Sequence, residues 1–362
     1  MLVDLYLLYN KKHLYIKGNT TLAQKNNILK MNEVSKINNL QKKTLLPYGF
    51  HDHIFGEAEA ELDINNVILS SLKKSGFKLI RPSTIEFEES LDSEYSPNFF
   101  KVSDPISGKM MVLRADITPQ IARIIRDKFS EKYFNNETVK ISYTGQVFRK
   151  NPIANSSERQ LTQTGFEILS NDNINSDVFT ILQAISTFKK LKTSDYTINF
   201  VYPALLDKIL ANSKNIDKVK ELIEVKDYLA LEKLNPVAYK LCRISDEVFD
   251  LKSAVKVIGE IEKIAGDKKL VRDDLQKIKK IITQFLATSS SNISFDLFES
   301  YGFTYHSGLC YSFISNKTHE EIGRGGRYDI LSENGSISAV GFTFLVNSIN
   351  RTSKNNAGSR KK

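Results

Sequence analysis

The chain reads as an α+β protein built on an antiparallel sheet, and three observations predict that class. Runs that alternate like strands stand back to back at 139–149 ("VKISYTGQVFR") and 159–169 ("RQLTQTGFEIL"), joined by a soft polar loop. Further strand-like runs follow one another between 303 and 349. Segments of helical period interrupt these runs without alternating strictly with them, which argues against a βαβ arrangement. The last such segment, from Pro203 to about 290, is helical almost throughout and reads as a helical insertion.

The elements follow in order. Residues 1–40 are rich in Asn and Lys and hold no sustained period, so they read as a poorly ordered basic extension. Residues 41–350 form the main domain, with the insertion at about 204–290, and 351–362 form a basic tail. "EAEAELDINNVILSSLKKSG" (57–76) sets Ala60, Ile64, Val67, Ile68 and Leu72 on one helical face and stops at Gly76. "FKLIRPSTIEFEES" alternates like a strand, and Pro82 within it suits an edge or an interface. "MMVLR" (110–114) is a strand that turns into a helix, where Asp116 or Thr118 is the expected N-cap and Pro119 suits the first turn. A helix over 174–192 and the strand "YTINFVY" lead into the insertion.

With 362 residues the chain can bury a substantial core, and 41% hydrophobic with 26% charged residues is ordinary for a globular protein. The net charge of +9 raises the question of nucleic acid, so its location decides. Residues 1–45 carry eight lysines against Asp4 and Glu33, and 351–362 carry five basic residues and no acid, which leaves the body at −2. The basicity is terminal, which is weak support for a phosphate-backbone groove. Cys242 and Cys310 lack metal-ligand spacing and fit a reducing, cytoplasmic setting without a disulfide framework. The apolar opening is broken by Asp4 and Asn10, so neither a secretory signal nor a membrane span is expected.

Four segments carry possible chemistry. "GRGGRYD" (323–329) lacks the spacing and Lys-Ser/Thr ending of a P-loop, and reads as a strand or turn whose Gly325 and Gly326 let something approach the backbone. In "LRADITPQ" Asp116 and Thr118 either cap the helix or set a carboxylate against a ligand ammonium. In "RQLTQTGFE" Gln163, Gly165 and Glu167 share one strand face, as a solvated surface or as the floor of a small polar site. "YGFTYHSG" offers His306 among aromatics with no Ser or Cys partner nearby.

Order and spacing tie these segments together. "LLPYGFHDHIFGEAE", "LRADITPQIARI", "GQVFRKNP…ERQLTQTGFEIL", "GFTYHSG" and "GRGGRYDIL…AVGFTFLVNSI" together resemble the catalytic domain of histidyl-tRNA synthetases. They look closer still to that family's non-synthetase relatives, the regulatory subunits of ATP phosphoribosyltransferase. The resemblance covers roughly Leu45 to Ile349. It implies the class II aminoacyl-tRNA synthetase-like fold, an antiparallel sheet flanked by helices, and a self-dimer built partly by the segment around Pro82. It also implies a histidine pocket made by Asp116 and Thr118 at the ammonium, Arg149 near the carboxylate, Gln163 and Glu167 on amino and ring groups, and Tyr305 and His306 along the imidazole.

Departures from the synthetase pattern separate the two relatives. Where the Arg-His-Glu signature of the second motif is expected, Arg149 is followed by Lys150 and Asn151. Ser348 stands where the third motif's phosphate-binding arginine belongs, and Tyr301 where another arginine precedes the glycine of "GFTYHSG". Fixed cations aimed at developing charge supply much of adenylation catalysis. The expectation is therefore a non-catalytic regulatory subunit, with no catalytic residue, no cofactor and no metal. It would act in the first step of histidine biosynthesis, in a hetero-oligomer with a short-form catalytic subunit and with L-histidine as effector. No anticodon-binding domain is expected after the third motif, and neither tRNA nor membrane is expected as a partner. The alternative is a divergent histidyl-tRNA synthetase-like adenylating enzyme; a tRNA-binding scaffold using the basic ends ranks behind it.

Overall fold

The computed structural model describes residues 46–90, 99–152, 157–211, 213–248, 250–288, 292–296, 298 and 306–358. The N-terminal extension expected at 1–40 lies outside the described residues, as do Tyr301 and Tyr305. Contacts divide the chain into Met1–Tyr48 and Gly49–Lys362. In the first unit only residues 46–48 are described.

The second unit opens with α1 (Gly56–Lys74), which buries Ile68, Ser71 and Leu72 and carries Glu57 and Glu59 in its first turn and Lys73 and Lys74 in its last. Those charges oppose the helix dipole at each end. Gly76, at φ 87°, turns the chain so that Phe77 N–H reaches back to Leu72 O at 3.1 Å. The "FKLIRPSTIEFEES" run then divides at Pro82 into β1 (Lys78–Ile80) and β2 (Ile85–Phe87), which belong to different sheets. β2, β3 (Phe100–Ser103) and β4 (Met110–Leu113) make a small antiparallel sheet in the order β2-β4-β3.

After β4 come α2 (Thr118–Lys128) and α3 (Ser130–Phe134), then β5 (Val139–Phe148), β6 (Gln160–Leu169), α4 (Asn173–Lys190) and β7 (Tyr196–Val201). Six helices follow: α5 (Pro203–Ile209), α6 (Ile216–Glu224), α7 (Tyr228–Leu234), α8 (Pro236–Ser245), α9 (Leu251–Ala265) and α10 (Lys269–Thr288). The strands β8 (Asn292–Phe295), β9 (His306–Ser315), β10 (Glu321–Ser332) and β11 (Gly335–Leu345) return, and α11 (Val346–Gly358) follows. α11 continues past Ile349, so Arg351 belongs to this helix.

The main sheet has eight strands in the order β1-β5-β6-β11-β10-β9-β7-β8. Its interior pairs are antiparallel, while the edge pairs β1·β5 and β7·β8 are parallel. The fold is α+β as expected, and the sequence did not reveal the two parallel edges. β1 and β8 are only three and four residues long, too short for period to show how they pair.

Strand alternation divides the sheet's side chains into two layers. Phe166 and Ile168 of β6 and Val340, Phe342 and Phe344 of β11 point into a large core with α1, α4 and the helices of 203–288. The opposite face buries Ile141, Tyr143, Leu169, Tyr328, Ile330 and Ala339 against Ile117, Ile121 and Ile125 at the start of and along α2. α2 and α3 cover only part of that second face, and a cleft lies beside them. Among the described residues no helix is long and apolar enough to cross a membrane.

Candidate functional site

The cleft is lined by Asp116 and Thr118 from the β4–α2 corner, Arg149 beyond β5, Gln163 and Glu167 of β6, and His306 of β9. These are six of the seven positions singled out in the sequence; Tyr305 lies outside the described residues. The structure adds Glu321, Arg324, Gly325, Gly326 and Tyr328 of β10 and Gly341 and Thr343 of β11. The cavity volume is about 20 Å³, room for one water, so a larger ligand must move side chains as it enters.

Glu167 forms the floor. It is 1% exposed, and its register partner on β11 is Gly341, where a Cβ would collide with the Glu167 carboxylate. Only glycine leaves that carboxylate its place. Tyr143 Oη donates to Glu167 Oε1 at 3.3 Å and lies 2.7 Å from Thr343 Oγ1. Glu167 Oε2 has no hydrogen-bond partner of good geometry. Burial pushes the Glu167 carboxyl up to about 8; the Tyr328 and Tyr143 hydroxyls pull it down and Asp116 pushes it further up. At neutral pH the cleft therefore holds Glu167 as a protonated acid.

The helix start is shared between two cleft residues. Asp116 Oδ1 accepts from Thr118 N–H at 3.1 Å, and Gln163 Oε1 accepts from Ile117 N–H at 3.1 Å. The N-cap position itself is Ile117, with no side-chain cap, so neither Asp116 nor Thr118 occupies it as the spacing had indicated. A residue from β6 does part of that work, which local sequence cannot show. Arg149 is anchored by Nε donating to Ala115 O at 3.2 Å.

The two arginines of "GRGGRYD" part company. Arg324 faces the cleft and makes a two-point ion pair with Glu321, Nε to Oε1 at 2.5 Å and Nη2 to Oε2 at 2.6 Å. Arg327 points into the protein, where Asp177, Asn173, Ser176 and Ser338 take its donors. Sequence reasoning noticed the glycines of this motif and missed Arg324. Its signal was a cation at spacing two from Gly326, on the strand face that Gly326 opens.

The positions that departed from an adenylating pattern have their own contacts. Lys150 and Asn151 are exposed. Ser348 is buried and accepts a hydrogen bond at 3.2 Å from Arg351, whose guanidinium also pairs with Glu158 at 2.5 Å and Glu320 at 2.7 Å.

A larger opening of about 500 Å³, lined by His51, Asp52, His53, Glu61, Gln146 and Asn347 among others, offers less chemistry. Glu61 there already accepts from His53 Nδ1 at 2.6 Å and from Asn347 Nδ2 at 3.1 Å. Among the described residues no group of three His, Cys, Asp or Glu could hold a metal ion. Among the described residues the first cleft brings an orphaned buried carboxyl oxygen, two further carboxylates and two guanidiniums to one small space. That set suits a zwitterion with an additional polar group.

The chain is similar to known proteins of one family. The family model described as histidyl-tRNA synthetase matches residues 49–349. The ATP phosphoribosyltransferase regulatory subunit of Clostridium botulinum (strain 657 / Type Ba4) is 30% identical over 84% of this chain and 75% of its own length. That of Paramagnetospirillum magneticum is 28% identical over 85% of this chain and 81% of its own length. Among solved structures, an ATP phosphoribosyltransferase regulatory subunit/histidyl-tRNA synthetase from Bacillus halodurans C superposes with TM-score 0.73 at 17% identity, covering 85% of this chain and 83% of that one. A histidyl-tRNA synthetase from Nostoc sp. PCC 7120 superposes with TM-score 0.69 at 20% identity, over 86% of this chain and 76% of that one. At these identities the structural likenesses speak for the fold.

Proposed function

The chain belongs to the histidyl-tRNA synthetase family, among relatives named as ATP phosphoribosyltransferase regulatory subunits, and from that premise we propose that it is the regulatory, non-catalytic subunit of an ATP phosphoribosyltransferase. It acts in the first step of histidine biosynthesis, is required by a short-form catalytic subunit, and carries feedback by L-histidine. One observation carries this reading. The amino-acid end of the cleft keeps Asp116, Gln163 and Glu167 together, while Lys150, Asn151 and Ser348 stand where an adenylating site needs its own groups.

The nearest cation to Ser348 supports the same conclusion. Arg351 sits one helical turn further along α11, but Glu158 and Glu320 neutralise it, so it is poorly placed to receive a phosphate. Histidine binding in such a protein regulates only through a difference in affinity between two states of the assembly. A self-dimer is part of the reading: Ile85, Phe87 and Val102, on one face of the small sheet beside Pro82, are 42%, 36% and 45% exposed.

Three measurements test the proposal. Mixing the purified chain with a short-form ATP phosphoribosyltransferase should raise that enzyme's activity, and histidine should lower it again. Calorimetry with L-histidine should give heat at millimolar concentration or below. Histidine-driven ATP–pyrophosphate exchange should be absent; measurable exchange would favour the alternative, a divergent adenylating enzyme.

A further inference from the structure

Arg324 is presented to the cleft by an irregular strand. β10 pairs with β9 through two register shifts, one between Glu321 and Gly323 and one between Gly326 and Tyr328. Residues three apart on a regular strand point to opposite faces. The first shift turns Glu321 onto the face of Arg324, and bulges commonly re-aim side chains in this way. The result is the two-point pair, with side chains 26% and 15% exposed, at a place where both residues line the cleft.

The sheet register fixes how far this pair stands from the floor. Gly326 lies opposite Gly341, which lies opposite Glu167; Arg324 lies opposite Thr343, which lies opposite Gly165. Arg324 is thus two residues along β10 from the Glu167 row, about 7 Å at the usual strand rise. An amino acid with a short polar side chain spans a similar length. Between the two rows Gly325 and Gly326 bring only backbone to the cleft wall. Arg149, the other cleft guanidinium, has its Nε committed to Ala115 O.

We propose that Arg324 binds the carboxylate of the cleft's amino-acid ligand, and that Glu321 fills that place when the cleft is empty. The inference rests on the reading of the cleft as an amino-acid site and adds two residues to it. Glu321 is an internal carboxylate on the same fork of donors that a ligand carboxylate would use. Ligand entry exchanges one Arg–carboxylate pair for another, and Glu321 then turns toward solvent at the cleft mouth. Because the exchange is nearly balanced, Glu321 sets the affinity and rejects ligands that lack a carboxylate.

The test is calorimetry of the full chain with L-histidine and with histamine, which lacks the carboxylate. The unsubstituted protein should prefer histidine by roughly 10- to 100-fold, the range of one charge-assisted pair. Arg324→Met should remove that preference, and Arg324→Lys should restore part of it. Glu321→Gln should tighten histidine binding by roughly 3- to 10-fold, since the competitor is weakened. If Arg324→Met is poorly folded by its melting curve, the Glu321→Gln result decides alone. Histidine binding with its preference over histamine intact in Arg324→Met, or weakened by Glu321→Gln, overturns this assignment and leaves the amino-acid site standing. No histidine binding by the unsubstituted chain overturns both.

Discussion

Arg324 and Arg327 are three residues apart on one strand and live in opposite surroundings. Arg327 is 7% exposed and its three nitrogens meet Asp177, Asn173, Ser176 and Ser338 at 2.8–3.1 Å. Every guanidinium donor there has a fixed acceptor, as a buried charge requires. Arg324 borders the cleft beside Glu167, whose carboxylate has an oxygen with no hydrogen-bond partner. The difference separates a cation locked inside the fold from one that borders the cleft in a partly solvated pair. Every donor of the Arg327 network is satisfied, whereas Glu167 Oε2 in the cleft is not.

The largest expected effect breaks the satisfied side. Arg327→Met leaves the Asp177 carboxylate buried without its cation and should cost about 3–5 kcal/mol in denaturant unfolding. A loss below about 1 kcal/mol would mean that the network around α4 matters less than its geometry indicates.

On the cleft side the leading expectation concerns pH. The Glu167 carboxyl titrates at about 8 when folded because it is buried, against roughly 4.3 for an unfolded glutamate. Between these values the folded state keeps a proton that the unfolded state releases. The contribution is therefore fully present at low pH and declines as pH rises toward 8. Glu167→Gln should flatten that decline, so its stability relative to the unsubstituted protein should rise by up to about 4 kcal/mol between pH 5 and 8. Melting curves of both proteins across this range check it; parallel curves would show that Glu167 is ionised throughout.

Smaller again is Gly341→Ala. Its Cβ has to displace the Glu167 carboxylate, and overpacking of that kind costs about 1–3 kcal/mol. Histidine binding should be lost more completely than stability, which parallel calorimetry and melting would separate. The smallest effect on stability belongs to Arg324→Met. Its pair with Glu321 is partly solvated and should contribute no more than about 1 kcal/mol. A loss as large as that of Arg327→Met would erase the distinction between the two arginines.

Much of the fold was legible in the sequence. Alternation located β5, β6 and the three C-terminal strands, and helical period located α1, α4 and the helices of 203–288. The division of "FKLIRPSTIEFEES" between two sheets was not legible, because β1 and β2 are three residues each and period needs length. For the cleft, the order of motifs brought Asp116, Thr118, Arg149, Gln163, Glu167 and His306 into view, and all six line one space. Their hydrogen-bond partners were hidden: Gln163 serves the start of a helix 46 residues earlier.

The sequence by itself determined which residues share a polar strand face, where paired glycines let something approach the backbone, and which positions depart from an adenylating pattern. These depend on residue type and spacing along the chain. Only the tertiary structure decided which charges are already satisfied. Asp177 lies 150 residues from Arg327 in sequence, and Glu321 reaches Arg324 only because β10 is bulged. Burial and partners brought from distant segments set the state of a charge, and neither is written in the local pattern.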